Sequence, residues 1–359
     1  MCAMSGELVI DLAAIRDNYA IIKNKVGAGC LVAPSVKADA YGLGAKNVVS
    51  ALYEAGARDF FVATLDEGAE LRALKPDINI YILNGYQPDA HDFYKKNSLT
   101  PVLNSLTEIR SYAQKGGAAI LHFDTGMNRL GIPADEAAEL FNDMSILSGI
   151  DVKCVMSHLI SSEESQNPSN VAQLTKFKEI TAHFPDVPHS LCNSGGVFLP
   201  SDFHHDIVRP GIALYGGKPT DGQDENPMNQ PVSLNVPVLQ IHAVKAEESA
   251  GYNATHRFHK NGIVAVMSIG YADGVFRKIS NVGALYFQGQ KMPICGRVSM
   301  DLIICDISDI PAKNQPKVGD MVEVIGTHQT IDDLARDSET ISYEILTALG
   351  HRFKRTYKG

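Results

Sequence analysis

The sequence predicts an α/β protein: a (β/α)8 TIM-type barrel followed by a mostly β C-terminal domain. Three observations carry this. The first two-thirds alternates short, continuous apolar runs with longer amphipathic ones; the texture changes after about Tyr215; and the remainder carries short β-like runs between turn signals. A chain of 359 residues exceeds one ordinary domain and suits a barrel with an appendage.

The expected barrel strands are Leu31–Val36, Phe60–Ala63, Ile78–Leu83, Thr100–Leu103, Ala119–Phe123, Val152–Met156, Ser190–Cys192 and a last one near Ile212–Leu214. Most are unbroken apolar runs, the pattern of parallel strands buried on both faces. Between them Ala45–Ala55 places Val48, Val49, Leu52 and Ala55 at helical spacing, with Gly56 as its stop. Asp66–Leu74, Ser105–Gln114, Ala134–Leu147 and Asn170–His183 read the same way. A doubly wound sheet competes, but no Gly-x-Gly-x-x-Gly follows the first strand. Gly216–Val236, rich in Gly, Pro, Asp and Asn, reads as a surface connection. Beyond it come Val238–Val244, Ile263–Ile269, Ala284–Phe287, Leu302–Asp306 and Met321–Ile325, then short helices at Ile331–Arg336 and Tyr343–Leu349. The expected domains are the barrel over 9–230 and the β domain over 231–359, with residues 1–8 a candidate for joining the latter.

Composition narrows the function. A hydrophobic fraction of 45% and a charged fraction of 20% are those of a globular protein. A net charge of −9 without a basic stripe argues against nucleic acid. The six cysteines form no Cys-x-x-Cys pair and no zinc-ligand spacing with His, so no metal is expected and a reducing compartment is. No run approaches the length of a membrane span. Met1–Glu7 shows no basic region followed by an apolar stretch, and a cytoplasmic protein is expected.

In such a barrel, chemistry sits on the loops leaving the C-terminal ends of the strands. Lys37 follows the first strand; His122 and Asp124 end the fifth, with Arg129 beyond; His158 ends the sixth; Asn193-Ser194-Gly195-Gly196 ends the seventh; Arg209-Pro210-Gly211 leads into the eighth. Each also has a plain structural reading. A lysine after a strand is ordinarily a solvated residue, Arg129 reads equally as a cap or an ion-pair partner, and His158 as a hydrogen-bonded core histidine. Asn-Ser-Gly-Gly is either a turn or, with its hydroxyl and amides, an anion nest.

Seven blocks in order supply more: Val36-Lys37-Ala38-Asp39-Ala40-Tyr41-Gly42-Leu43-Gly44, Asp124-Thr125-Gly126-Met127-Asn128-Arg129-Leu130-Gly131, Asn193-Ser194, Val208-Arg209-Pro210-Gly211-Ile212-Ala213-Leu214-Tyr215-Gly216, Ile269-Gly270-Tyr271-Ala272-Asp273-Gly274, Gly296-Arg297-Val298-Ser299-Met300-Asp301 and Thr340-Ile341-Ser342-Tyr343-Glu344. Together they closely resemble the alanine racemases, and they span nearly the whole chain. The resemblance implies a pyridoxal 5'-phosphate (PLP) enzyme, acting as a homodimer with shared active sites, that interconverts L- and D-alanine and supplies D-alanine for peptidoglycan. Lys37 would carry the cofactor through an imine and serve as base on one face of the substrate; Tyr271 of the partner subunit would serve on the other. His158 and Arg209 would connect to that tyrosine, and Arg209 would point at the cofactor's ring nitrogen. The phosphate would be held by Tyr41, Ser194, Tyr343 and the amides of Gly211 and Ile212, with Asn193 and His158 also in the cofactor-binding set. Arg129, together with the backbone around Met300 and Asp301 from the partner subunit, would receive the substrate carboxylate.

Two positions depart from the family's pattern. His122 stands where many members have a carbamylated lysine bonded to the residue equivalent to Arg129, so an anion or a water network is expected to position Arg129 here. Ser299 stands where cysteine is common. The rival readings are a broader-specificity racemase and a non-catalytic PLP-binding barrel; the latter type lacks the β domain.

Overall fold

The computed structural model describes residues 6–221 and 225–359. Cys2 and most of Met1–Glu7, on which the expectation about an export signal rests, lie outside the described residues. The chain divides into two units: Ile15–Leu214 with Lys218–Asn229, and a second made of the N-terminal strand up to Ala14, Tyr215–Gly217 and Gln230–Gly359.

The first unit is a closed parallel barrel. Six strands pair in chain order: Asp59–Val62, Asn79–Ile82, Thr100–Leu103, Gly117–His122, Ile150–Met156 and His189–Ser190. Leu31–Val32 pairs in parallel with Ile207–Val208. The ring closes on one side through a parallel bridge between Ser35 and Phe61, and on the other through Asp206 N to His189 O (3.1 Å) and Arg209 N to Cys192 O (2.9 Å). Ala33, Phe61, Val102, Ile120, Cys154 and Met156, from four of these strands and the segment extending Leu31–Val32, fill the interior.

Local chemistry sets the helices. Thr64 and Ser105 cap Leu65–Leu74 and Leu106–Ala113 by accepting the amide three residues on, and Asn167 with Pro168 starts Pro168–Thr181. Ala45–Glu54 ends before Gly56, whose φ of +101° suits glycine. Two helices escaped the sequence reading. Leu12–Val26 buries Ile15, Tyr19 and Ile22 at spacings of four and three, and His91–Lys96 is too short to show a period.

The eighth strand is a correction. It lies at Ile207–Val208, and Ile212–Tyr215 is a 3-10 turn. Pro210 has no N–H to continue the ladder; its carbonyl accepts from Ser35 N (2.8 Å) as the last rung, and the chain turns at Gly211. The apolar run Ile212–Leu214 is buried, but as the floor of a turn.

The second unit centres on the long strand Val232–Val244, which pairs antiparallel with Glu7–Asp11, Gly262–Met267 and Met321–Ile325. Glu7–Asp11 alternates, burying Leu8 and Ile10, and pairs on its other edge in parallel with Lys354–Lys358. Ala284–Phe287, Gln290–Pro293 and Ile303–Asp306 complete the sheet. The five described cysteines, at 30, 154, 192, 295 and 305, are buried and unpaired. Among the described residues no helix is long and apolar enough to cross a membrane.

Candidate active site

The first barrel strand delivers Lys37 into an unusual turn. Ala38, Asp39, Ala40 and Tyr41 have φ between 53° and 57° and ψ between 38° and 53°, a single turn of left-handed helix built without glycine. Such backbone costs roughly 1–2 kcal/mol per residue, so the fold must hold it. Asp39 Oδ1 accepts from Ala45 N (2.7 Å), Gly44 N reaches Asp39 O (2.9 Å), and Gly42 and Gly44 carry the chain out at φ of 80° and 96°. The turn presents Lys37 at its start and Tyr41 at its end. Burial, and next the Arg129 cation, push the Lys37 amine below its ordinary value, while Glu67 opposes them.

Tyr41 packs on the loop after the eighth strand: a Cβ at Gly211 would collide with its hydroxyl, which is why glycine stands there. Ser194 Oγ accepts from Gly211 N (2.9 Å) and Ala213 N (3.2 Å). Asn193 fixes this loop from behind, taking Ser162 Oγ (2.6 Å) and Gly196 N (3.1 Å) on its oxygen and donating to Leu159 O (3.3 Å). A hydroxyl and convergent amides make an anion nest. The nest and the amine of Lys37 sit at opposite ends of one turn, an arrangement that fits an aldehyde bearing a phosphate. Sequence reading named Tyr41, Asn193, Ser194, Gly211 and Ile212; the structure groups Tyr41, Ser194 and Gly211 directly, places buried Ile212 between the two donating residues, and adds the amide of Ala213.

Arg209 is buried and held by three hydrogen bonds. It donates to Ser190 Oγ and to Ser157 O (2.5 Å), and Nη2 faces His158 Nδ1 at 3.4 Å. A guanidinium only donates, so Nδ1 of His158 accepts and its proton sits on Nε2. Burial, then Arg209, holds His158 well below the ordinary histidine value, and burial lowers Arg209 itself to about 10.

Arg129 rides on a loop folded around Asp124, whose carboxylate accepts from the amides of Gly126 (2.7 Å), Met127 (2.8 Å) and Asn128 (2.8 Å). Arg129 is exposed and makes no hydrogen bond or ion pair among the described residues. His122, buried at the end of the fifth strand, is bonded through Nδ1 to Asn104 Oδ1 at 2.7 Å. Asn104 donates its amide to Val102 O (3.0 Å) and Leu83 O (3.4 Å), which turns its oxygen toward the ring. The proton therefore lies on Nδ1 and the lone pair on Nε2. Burial, then Arg209, pushes His122 down to about 3, so it is neutral.

The second unit carries the other predicted residues. Tyr271 and Met300 lie on two loops zipped together: Tyr271 N bonds Ser299 O (3.0 Å), Ala272 N bonds Met300 O (3.0 Å), and a Cβ at Gly270 would strike the Met300 carbonyl. Arg352 clamps the pair, bidentate on buried Asp273 (2.6 and 2.8 Å) and on Asp301 (2.7 Å). Tyr271 is 44% and Met300 53% exposed. Tyr343 is half-buried at the second position of helix Ser342–Ala348. One residue passed over in the sequence is Tyr252, 68% exposed. It sits on a turn with Gly251, Asn253 and Ala254 at φ of 71°, 61° and 48°, and the next residue, Thr255, lines a polar cleft with Arg277, Lys278, Ser280, Asn281 and Arg297. Its signal was the Gly251-Tyr252-Asn253 turn between two β runs.

The family model described as "Alanine racemase, N-terminal domain" matches residues 10–219, and that described as "Alanine racemase, C-terminal domain" matches 231–357. The chain is 44% identical to an alanine racemase of Brucella canis, over 99% of this chain and 94% of that protein. It is 42% identical to one of Rhizobium meliloti, over 99% and 97%. Among solved structures, the alanine racemase of Bartonella henselae with covalently bound pyridoxal phosphate superposes with a TM-score of 0.94 at 40% identity, covering 99% of both chains. The biosynthetic alanine racemase of Pseudomonas aeruginosa gives 0.90 at 31%, covering 99% of this chain and 100% of that one.

Proposed function

The chain belongs to the alanine racemase family, and we propose from that membership that it interconverts L- and D-alanine with PLP carried on Lys37. The observation that carries the reading is the left-handed turn with a lysine amine of lowered basicity at one end and a tyrosine on the Ser194–Gly211–Ala213 nest at the other.

When bound, PLP supplies an electron sink for the pair left on the substrate's Cα. The protein must hold that cofactor, orient the substrate and move one proton across its plane. Ser194, the amides of Gly211 and Ala213, and Tyr41 would hold the phosphate. Arg209 would face the ring nitrogen with a donor that keeps its proton, leaving that nitrogen unprotonated. Such an arrangement weakens the sink and so disfavours competing reactions such as transamination. Arg129, and the Met300 amide of the partner subunit, would receive the substrate carboxylate.

Racemisation requires a proton taken from one face and returned on the other. Lys37 is the base on one face, and its lowered amine pKa places more of it in the neutral, proton-accepting form. A tyrosine of a partner subunit serves the other face, in a homodimer that shares its sites. The resemblance names Tyr271. A second reading has support in the structure: Tyr252 is the more exposed, rides on strained backbone of the kind that clusters at functional sites, and adjoins a cleft bearing Arg277 and Arg297 that would stabilise a phenolate. We favour Tyr252. A cytoplasmic enzyme supplying D-alanine to peptidoglycan is the setting that suits these features.

The test is the purified protein's visible spectrum, followed by circular dichroism of L- and D-alanine. A cofactor band and loss of optical activity from either enantiomer are expected; a colourless protein that leaves both unchanged would overturn the proposal.

A further inference from the structure

The turn that carries Lys37 is fastened from outside itself. Glu67 lies at the third position of helix Leu65–Leu74 and closes a capping box with Thr64: its Oε2 accepts from Thr64 N (3.2 Å) while Thr64 Oγ1 accepts from Glu67 N (3.4 Å). A capping glutamate has only that one amide to satisfy. This one takes two more, Ala63 N on Oε2 (2.7 Å) and Ala38 N on Oε1 (2.7 Å). Ala38 directly follows Lys37 and is the first residue of the left-handed turn. One carboxylate thus gathers three amides from the loops that end the first and second barrel strands, and amide bonds to an ionised acceptor are the strong kind.

We propose that Glu67 is a positioning residue for Lys37, fixing through the Ala38 amide the backbone from which the cofactor-bearing side chain projects. The proposal rests on the reading of Lys37 as the cofactor lysine. The charged and titratable groups facing that amine come from two loops and a helix. They are Arg129 beyond the fifth strand, His158 after the sixth, and Glu67 on its helix, which alone is anionic. Glu67 therefore acts on Lys37 twice, through geometry and through charge.

The holoenzyme tests this with E67Q and E67D beside T64A. Glutamine keeps the shape but sets an N–H donor against at least one of the three amides. Aspartate keeps the charge and a good cap but is a methylene too short to reach Ala38. For both, the visible circular dichroism of the bound cofactor should change, PLP uptake by the apoprotein should slow, and kcat/KM should fall about tenfold, the scale of one charge-assisted bond. In E67Q alone, the limb of the pH profile set by Lys37 should move to lower pH, since losing the anion disfavours the ammonium. T64A removes the cap but leaves Glu67 its three amides, so it should lower Tm while keeping the native dichroism and pH profile. Should E67Q fail to fold, the dichroism and uptake of E67D decide the matter. Glu67 variants that lose only Tm, as T64A does, would reduce Glu67 to a helix cap and overturn the proposal. A separate K37A variant that kept the cofactor band would sink the underlying reading of Lys37 instead.

Discussion

Asn104 Oδ1 takes the Nδ1 proton of His122 at 2.7 Å, and that single bond decides what the buried imidazole can offer the barrel mouth. With Nδ1 committed, Nε2 carries a lone pair and no charge. The ring is an acceptor at the position where the family resemblance implies an anion.

Replacing Asn104 with aspartate should give His122 an anionic partner and lift it from about 3 toward the ordinary range. An imidazolium would then form on the acid side, and its charge would oppose Arg129 and Arg209. We expect a new acid limb in kcat/KM for N104D that native protein lacks. N104L should instead leave a buried N–H unsatisfied and cost about 1–3 kcal/mol in urea unfolding. A native pH profile in N104D would separate His122 from the chemistry.

The two exposed tyrosines of the second unit can be told apart by isotope. Y252F should suppress deuterium wash-in from one alanine enantiomer by about 10²–10⁴, the range for a lost acid–base group, and leave the other far less affected. Y271F should slow both enantiomers less and together. The reverse pattern would return the role to Tyr271, and equal suppression by Y252F would put the two-base mechanism itself in doubt.

Acid should loosen the barrel unit at a definable place. His205 is wedged against Phe177 and His189, its Nε2 is buried without a partner, and burial lowers it to about 4 from an ordinary 6.5. Below 6.5 the unfolded chain takes up a proton that the folded chain refuses, so this residue's contribution to stability is lost as pH falls from about 6.5 to 4. H205N tolerates the local φ of 50° and should flatten the slope of Tm against pH in that window. An unchanged slope would assign the acid sensitivity elsewhere, with His122 and His158 next to be tested.

The sequence announced most of the barrel, because strands buried on both faces have to be apolar throughout. It failed at the eighth strand for a stated reason: Ile212–Leu214 is as apolar as a strand, and only Pro210 hints that the ladder has already ended. The mouth was legible where side chains follow strands directly, as at Lys37, His158 and Arg209. Asn104 also follows a strand, yet nothing in the sequence tells that it faces His122. Glu67 drew no notice in the sequence: its cap with Thr64 is local, but its bond to Ala38 crosses 29 positions. The left-handed turn was not legible, since Ala38-Asp39-Ala40-Tyr41 is a sequence of ordinary right-handed helix formers.

The pairing of Glu7–Asp11 with Lys354–Lys358 has a consequence for the order of events at the ribosome. Glu7 and Lys354 stand 347 positions apart, so Glu7–Asp11 waits for a strand made far later. Until then Glu7–Asp11 has an open edge toward a parallel partner, even after Val232–Val244 covers the other. An open edge is an invitation to other chains. Nascent chains stalled before residue 354 should therefore be the sticky ones, and removing the strand Lys354–Lys358 should raise aggregation during synthesis more than its small loss of buried area would suggest.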